Sequence, residues 1–122
     1  MTTGRSALDY LDDILDAVSK AEEFVLGMDY DAFAGDAKTH FAVVRCLEII
    51  GEAAKNIPSV VRSRYPNIPW REMAGIRDKL SHAYFGVDLR TVWKTIQQDL
   101  PELRSQILKI SQEITHGTPS TD

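Results

Sequence analysis

With a single cysteine, Cys46, in 122 residues, the chain cannot form an internal disulfide and lacks the paired thiolates of a structural zinc site. It also has no run approaching the ~20 apolar residues needed to span a bilayer. Its first twenty residues carry Asp9, Asp12, Asp13 and Asp16 in place of the basic and then apolar stretch of a secretory leader. These absences lead to the expectation of a reduced, cytoplasmic protein that is neither secreted nor membrane-spanning. No alternating apolar and polar stretch of useful length is present, which argues against a sheet, and there is no internal repeat. Apolar residues make up 43% and charged residues 26%, close to the globular average, so the chain is expected to fold as one unit. The expected domain is 1–116, with 117–122 as a flexible tail.

Periodicity of three and four dominates what remains. Leu8, Leu11, Leu15, Val18 and Val25 form one stripe of a helix from Ser6 to Leu26 that Gly27 stops. A second helix fits Asp36 to Ile57, capped by Asp36 and closed by Pro58, with Phe41, Val44, Leu47, Ile50, Ala54 and Ile57 as its apolar row. The proline-rich stretch from Pro58 to Pro69 reads as a short helical turn and a loop. A third helix is expected from Trp70 to Tyr84. A long fourth one, capped by Asp88, carries Leu89, Val92, Trp93, Ile96, Leu100, Leu103, Ile107, Ile110 and Ile114, with a kink near Gln97 to Pro101 imposed by the proline. The expected fold is therefore all-α, an antiparallel four-helix bundle with an extra short helical turn. Gly51, inside the second helix, costs about 1 kcal/mol relative to alanine there and so marks a close helix crossing.

The net charge of −4 hides an uneven layout. Met1–Val61 carry −6, Arg62–Lys94 carry +4 and Thr95–Asp122 carry −2. The basic island comprises Arg62, Arg64, Arg71, Arg77, Lys79, Arg90 and Lys94, and a local excess of this kind can hold a phosphate-bearing partner. Other candidate chemistry reads as structure. His40, His82 and His116 lack metal-ligand spacing. Asp29, Asp31 and Asp36 lack the glycine and terminal glutamate of a calcium loop. Asp9, Asp12, Asp13 and Asp16 form a solvated face, Cys46 reads as a structural thiol, and Trp70 and Trp93 read as packing residues.

The segment Gly75 to Asp88, GIRDKLSHAYFGVD, is different. On a helix Arg77 and Tyr84 lie within about 20° of each other, and Asp78 can touch His82 one turn on. Arg77 and His82 are offset by about 140°, so two copies around a two-fold axis suit a shared site better than one. A histidine near its ordinary pKa can move a proton at neutral pH, and a guanidinium can stabilise charge on phosphate oxygens. With the substrate's own 2′-hydroxyl as nucleophile, these groups suit cleavage of RNA.

The run IPWREMAGIRDKLSHAYFGVDLRTVW, Ile68 to Trp93, resembles the HepT-like toxins of the HEPN superfamily, and LEIIGEAAK, Leu47 to Lys55, is similar to their second-helix signature. Arg77, His82 and Tyr84 match the family's Arg-x4-His-x-Tyr motif residue by residue. The resemblance implies a HEPN-like bundle that forms a homodimer and a metal-independent endoribonuclease without a cofactor. It implies Arg77 and His82 as catalytic and Asp78 as the residue that positions the histidine; from the basic island, Lys79, Arg71 and Arg90 are expected to bind RNA. It further implies a toxin–antitoxin system in which a cognate nucleotidyltransferase transfers AMP to Tyr84. The alternative is a non-catalytic helical module that binds the nucleotidyltransferase.

Overall fold

The structure, a computed structural model of the chain, describes residues 5–76 and 88–116. Every element among them is helical. Helix α1 spans Ala7–Phe24, α2 Tyr30–Ala34, α3 Ala37–Asn56, α4 Ser59–Arg64, α5 Trp70–Ala74, α6 Leu89–Lys94 and α7 Leu100–Thr115, with a π-helical turn at Thr95–Asp99 joining α6 to α7.

Local chemistry sets most of these boundaries. Ser6 and Asp9 form a reciprocal capping box at the start of α1, and Gly27, at a φ of 82°, takes the left-handed conformation that turns the chain after it. Helix α2 was not expected from the sequence. Its cap is Asp29, whose carboxylate accepts from the Ala32 amide at 2.8 Å, and Asp36 caps α3 by accepting from the Thr39 amide at 3.3 Å and hydroxyl at 2.9 Å. Two of the three aspartates weighed as a calcium loop are thus helix caps.

Helices α1, α3 and α7 frame one continuous apolar core, with α1 packed chiefly on α3 and α7 on α1. Leu11, Ile14, Val18, Phe33, Val43, Leu47, Ile50, Ile57, Ile96, Leu100 and Ile107 are fully buried within it. Each such side chain contributes about 1.5–3 kcal/mol relative to exposure. An ion pair between Arg104 and Glu22 bridges α7 and α1 at the edge of the core. The expected apolar rows hold with one exception: Phe41 is 55% exposed and lies off the buried row of α3. The loop after α4 is pinned twice, by the Tyr65 hydroxyl donating to Glu113 on α7 at 3.0 Å and by the Trp70 indole N–H donating to the Tyr65 carbonyl at 3.0 Å.

Two expected helices are irregular. The helix begun at Trp70 ends at Ala74, where the Gly75 amide turns back to the carbonyls of Arg71 and Met73, and helical backbone resumes at Ile76. The fourth helix runs without leaving helical backbone from Leu89 to Thr115, its irregularity near Gln97 to Pro101 taking the form of a π turn between α6 and α7, with Pro101 in the first turn of α7. Proline has no amide to donate and crowds the carbonyl four residues back, that of Gln97, and the widened turn accommodates both. The tail expected from residue 117 lies outside the described residues.

Gly51 confirms the close crossing. A β-carbon there would sit 2.8 Å from Ile76 Cγ2 and 3.0 Å from the Met73 carbonyl oxygen. Gly51→Ala gains about 1 kcal/mol of helix propensity but forces contacts that include a backbone oxygen unable to rotate away, an overpacking cost of about 1–3 kcal/mol. The net expectation is a loss of stability in urea unfolding, partly restored by Ile76→Ala in the double variant. A gain in stability for Gly51→Ala alone contradicts the crossing.

Candidate functional site

Of the residues singled out by sequence, Arg77, Asp78, Lys79, His82 and Tyr84 lie outside the described residues, and Arg71 and Arg90 lie within them. The structure shows how the chain enters and leaves the segment between. On the entry side, Trp70 and Met73 are buried, and Ile76 packs against Gly51 of α3. On the exit side, Asp88 caps α6, its carboxylate accepting from the Thr91 hydroxyl at 2.6 Å and amide at 3.3 Å. Those bonds hold the Asp88 carboxyl below its ordinary value. The core then takes up Val92 and Ile96. Residues 77–87 are therefore bracketed by two packed anchors.

Arg71 is exposed on α5 and Arg90 is exposed on α6, so both cations face solvent next to the bracketed segment. Arg90 lies over the Tyr30 ring, its guanidinium carbon 4.2 Å from the ring centroid. The ion pairs among the described residues are Arg5–Asp13, Lys20–Asp16, Arg45–Glu48 and Arg104–Glu22. None uses a cation of the basic island: Arg62, Arg64, Arg71, Arg90 and Lys94 are not ion-paired with any described carboxylate. Four of the seven cations in the acidic parts of the chain, Arg5, Lys20, Arg45 and Arg104, are ion-paired among the described residues, against none of the described cations of the island.

Tyr30 escaped the sequence reading, because a five-residue helix has too few turns for periodicity to register. The signal that could have found it is the aspartate at position 29 placed to cap the short run after the Gly27 turn. Trp70 is buried as expected, and Trp93 packs edge-on to Tyr30 at 6.3 Å and tilted on Phe33 at 5.2 Å between centroids. Cys46 is buried and its thiol is pushed up by desolvation, so it stays protonated as a small apolar group.

Among the described residues, no three His, Cys, Asp or Glu side chains gather as a metal site requires, and no helix is long and apolar enough to cross a membrane. A cavity of about 430 Å³ lies between the two anchors, floored by Ile50, Met73, Ile76, Leu100 and Leu103. Among the described residues its lining also includes the carboxylates Glu72, Asp99 and Glu102, whose charge disfavours phosphate. A larger cavity of about 620 Å³ is lined by Arg64, Tyr65, Lys109 and His116 among the described residues.

These features define an all-α protein whose described residues pack into the core on both sides of residues 77–87. The family model described as "Ribonuclease HepT-like" matches residues 14–110, and the chain belongs to that family. It is similar to a "Probable ribonuclease HepT" of Thermococcus cleftensis, 54% identical over 106 residues that cover 87% of this chain and 96% of the relative. A "Putative RNase" of Methanocaldococcus jannaschii is 47% identical over 107 residues, covering 88% and 83%. Another "Putative RNase", of Caldanaerobacter subterraneus subsp. tengcongensis, is 45% identical over 104 residues, covering 85% and 93%. No solved structure matches the chain.

The Asp88 cap generates a pH prediction. Its carboxyl lies below the ordinary 3.8, so its contribution to stability is fully present above 3.8 and is lost as pH falls through the lower value of the folded state. Asp88→Ala lowers the thermal midpoint at pH 7, and its difference from the wild type shrinks as the pH is taken below 3.8. Asp88→Ser, which still offers an acceptor to the Thr91 amide, recovers part of the loss. Melting curves followed by circular dichroism read both, and a pH-independent difference contradicts the cap.

Proposed function

We propose that the chain is a metal-independent endoribonuclease, the toxin of a toxin–antitoxin pair, working as a homodimer in the cytoplasm. The observation that carries this reading is the Arg-x4-His-x-Tyr spacing of Arg77, His82 and Tyr84 in a chain that belongs to the ribonuclease HepT-like family. Residues 1–116 act as one HEPN-like domain, an antiparallel four-helix bundle. The two-fold axis brings the motif segments of both protomers to one cleft, which resolves the angular offset of Arg77 and His82 on a single helix. The described cations of the basic island, none ion-paired with a described carboxylate, support an anionic substrate, with Arg71, Lys79 and Arg90 meeting phosphates.

In the reaction, His82 takes the proton of the 2′-hydroxyl as its oxygen attacks the adjacent phosphorus. The bond from phosphorus to the 5′-oxygen breaks, the leaving oxygen receives a proton, and a 2′,3′-cyclic phosphate remains. Arg77 stabilises the charge that gathers on the non-bridging oxygens, and Asp78 holds the imidazole in position. Incubation of the unmodified protein with RNA in EDTA yields cleavage, which His82→Ala and Arg77→Ala each lower at least about 100-fold, in keeping with the size of general acid–base and electrostatic contributions. Equal cleavage by the variants overturns the assignment.

Neutralisation is covalent. The Tyr84 hydroxyl attacks the α-phosphorus of ATP on the cognate nucleotidyltransferase, giving a phosphodiester to AMP, with release of pyrophosphate and the hydroxyl proton. The added phosphate faces the cation that otherwise meets substrate, and the adenylate fills the cleft. Intact mass spectrometry after incubation with the nucleotidyltransferase and ATP shows added AMP on the wild type and none on Tyr84→Phe. The same mass gain on Tyr84→Phe places the acceptor elsewhere.

A further inference from the structure

Arg90 could have paired with a carboxylate, since Asp88 is two residues before it and Asp29 and Asp31 flank the aromatic ring it covers. It pairs with none of them. Asp88 and Asp29 are committed to capping α6 and α2, and the Arg90 guanidinium lies over Tyr30 instead, 4.2 Å from the ring centroid. Tyr30 is itself held from the core side by Phe33, at 6.4 Å, and Trp93, at 6.3 Å between centroids. Phe33 is fully buried, so this aromatic support is rooted in the core. Lys94, exposed one turn further along α6, shares the face of Arg90 and forms no ion pair with a described carboxylate.

A planar cation backed by a fixed aromatic ring, itself exposed and followed by a second exposed cation, has the layout that unpaired nucleobases meet in single-stranded RNA recognition. A phosphate contact alone would need only charge and would gain nothing from the ring beneath. A base in a duplex hides its faces against its neighbours, so a stacking surface selects single strands.

We propose that Arg90, laid over Tyr30, is a stacking subsite for one unpaired base of single-stranded RNA, with Lys94 meeting the adjoining phosphate. The inference rests on the reading of the chain as a ribonuclease and names the form of RNA it takes.

The test uses a fluorescent 2′-O-methyl hexanucleotide, which cannot be cut, and six versions of it with one abasic position each, titrated against the full chain by anisotropy. With the wild type, one abasic position weakens binding about tenfold and the others less. Arg90→Lys, which keeps the charge and loses the plane, weakens binding of the intact oligonucleotide about tenfold and leaves binding of that abasic version unchanged. Tyr30→Phe binds as the wild type does, and Tyr30→Leu behaves as Arg90→Lys, with circular dichroism melts checking that each variant is folded. The proposal is overturned if no abasic position stands out, if Arg90→Lys weakens all versions equally, or if the wild type does not bind. Because the readout is binding of an uncleavable strand, it is independent of the EDTA cleavage assay, and failure of the catalytic assignment is seen there separately.

Discussion

The approach of α3 to the chain between Met73 and Ile76 is the contact on which the rest of the architecture depends. It needs a position on α3 with no side chain, because a β-carbon at Gly51 would lie inside contact distance of both Ile76 Cγ2 and the Met73 carbonyl. Interiors packed to crystal-like density do not absorb such an overlap without displacing something. What would be displaced is the backbone immediately before Arg77. A glycine in the middle of a twenty-residue helix is a local weakness, and here the weakness is exchanged for a fixed starting point of the motif segment. The far end is fixed by different means, a charged cap at Asp88 and the burial of Val92 and Ile96.

The charge layout works on a longer scale. Where α1 and α3 carry cations, carboxylates three, four or eight residues away hold several of them, and where the chain passes from Arg62 to Lys94 the described cations are left without such partners. Surface ion pairs contribute little to stability, a median of about 0–1 kcal/mol, so the arrangement has small consequences for folding. Its consequence is for the field around the molecule. A net-acidic chain resists indiscriminate adsorption to nucleic acid while one restricted stretch attracts it, and that attraction is confined by screening to roughly a Debye length of about 8 Å in physiological salt.

Much of the fold was legible in the sequence because its helices are long and their apolar residues recur at three and four. The caps at Ser6, Asp36 and Asp88 and the stop at Gly27 could be placed from residue type alone. Helix α2 could not, since five residues make little more than one turn, and its fixing depends on Phe33 reaching the core, a tertiary event. Phe41 misled in the other direction: it keeps the spacing of the buried row yet stands in solvent. The break at Gly75 was hidden because the residues on both sides are good helix formers and a single glycine inside a helical pattern does not by itself announce a break. For the candidate site, the motif spacing was readable, and so was the cationic character around it. The pairing of Arg90 with Tyr30 was not, because it joins residues sixty positions apart whose meeting depends on the packing of α2 against α6.

The widened turn between α6 and α7 also governs phase. Val92, Ile96 and Leu100 are all buried although they follow one another at two successive steps of four, which on a regular helix would carry the last about 80° around the axis from the first. The π turn at Thr95–Asp99 lets the backbone lag by enough to bring Leu100 back to the interior, after which Leu103, Ile107 and Ile110 continue the inward row. The turn is consequently tolerant in one direction and not in the other. Removing one residue would let the segment close as a regular α-helix with Leu100 seven steps from Val92, about 20° from it, whereas adding one would carry α7 about 100° further round and present its apolar side chains to water.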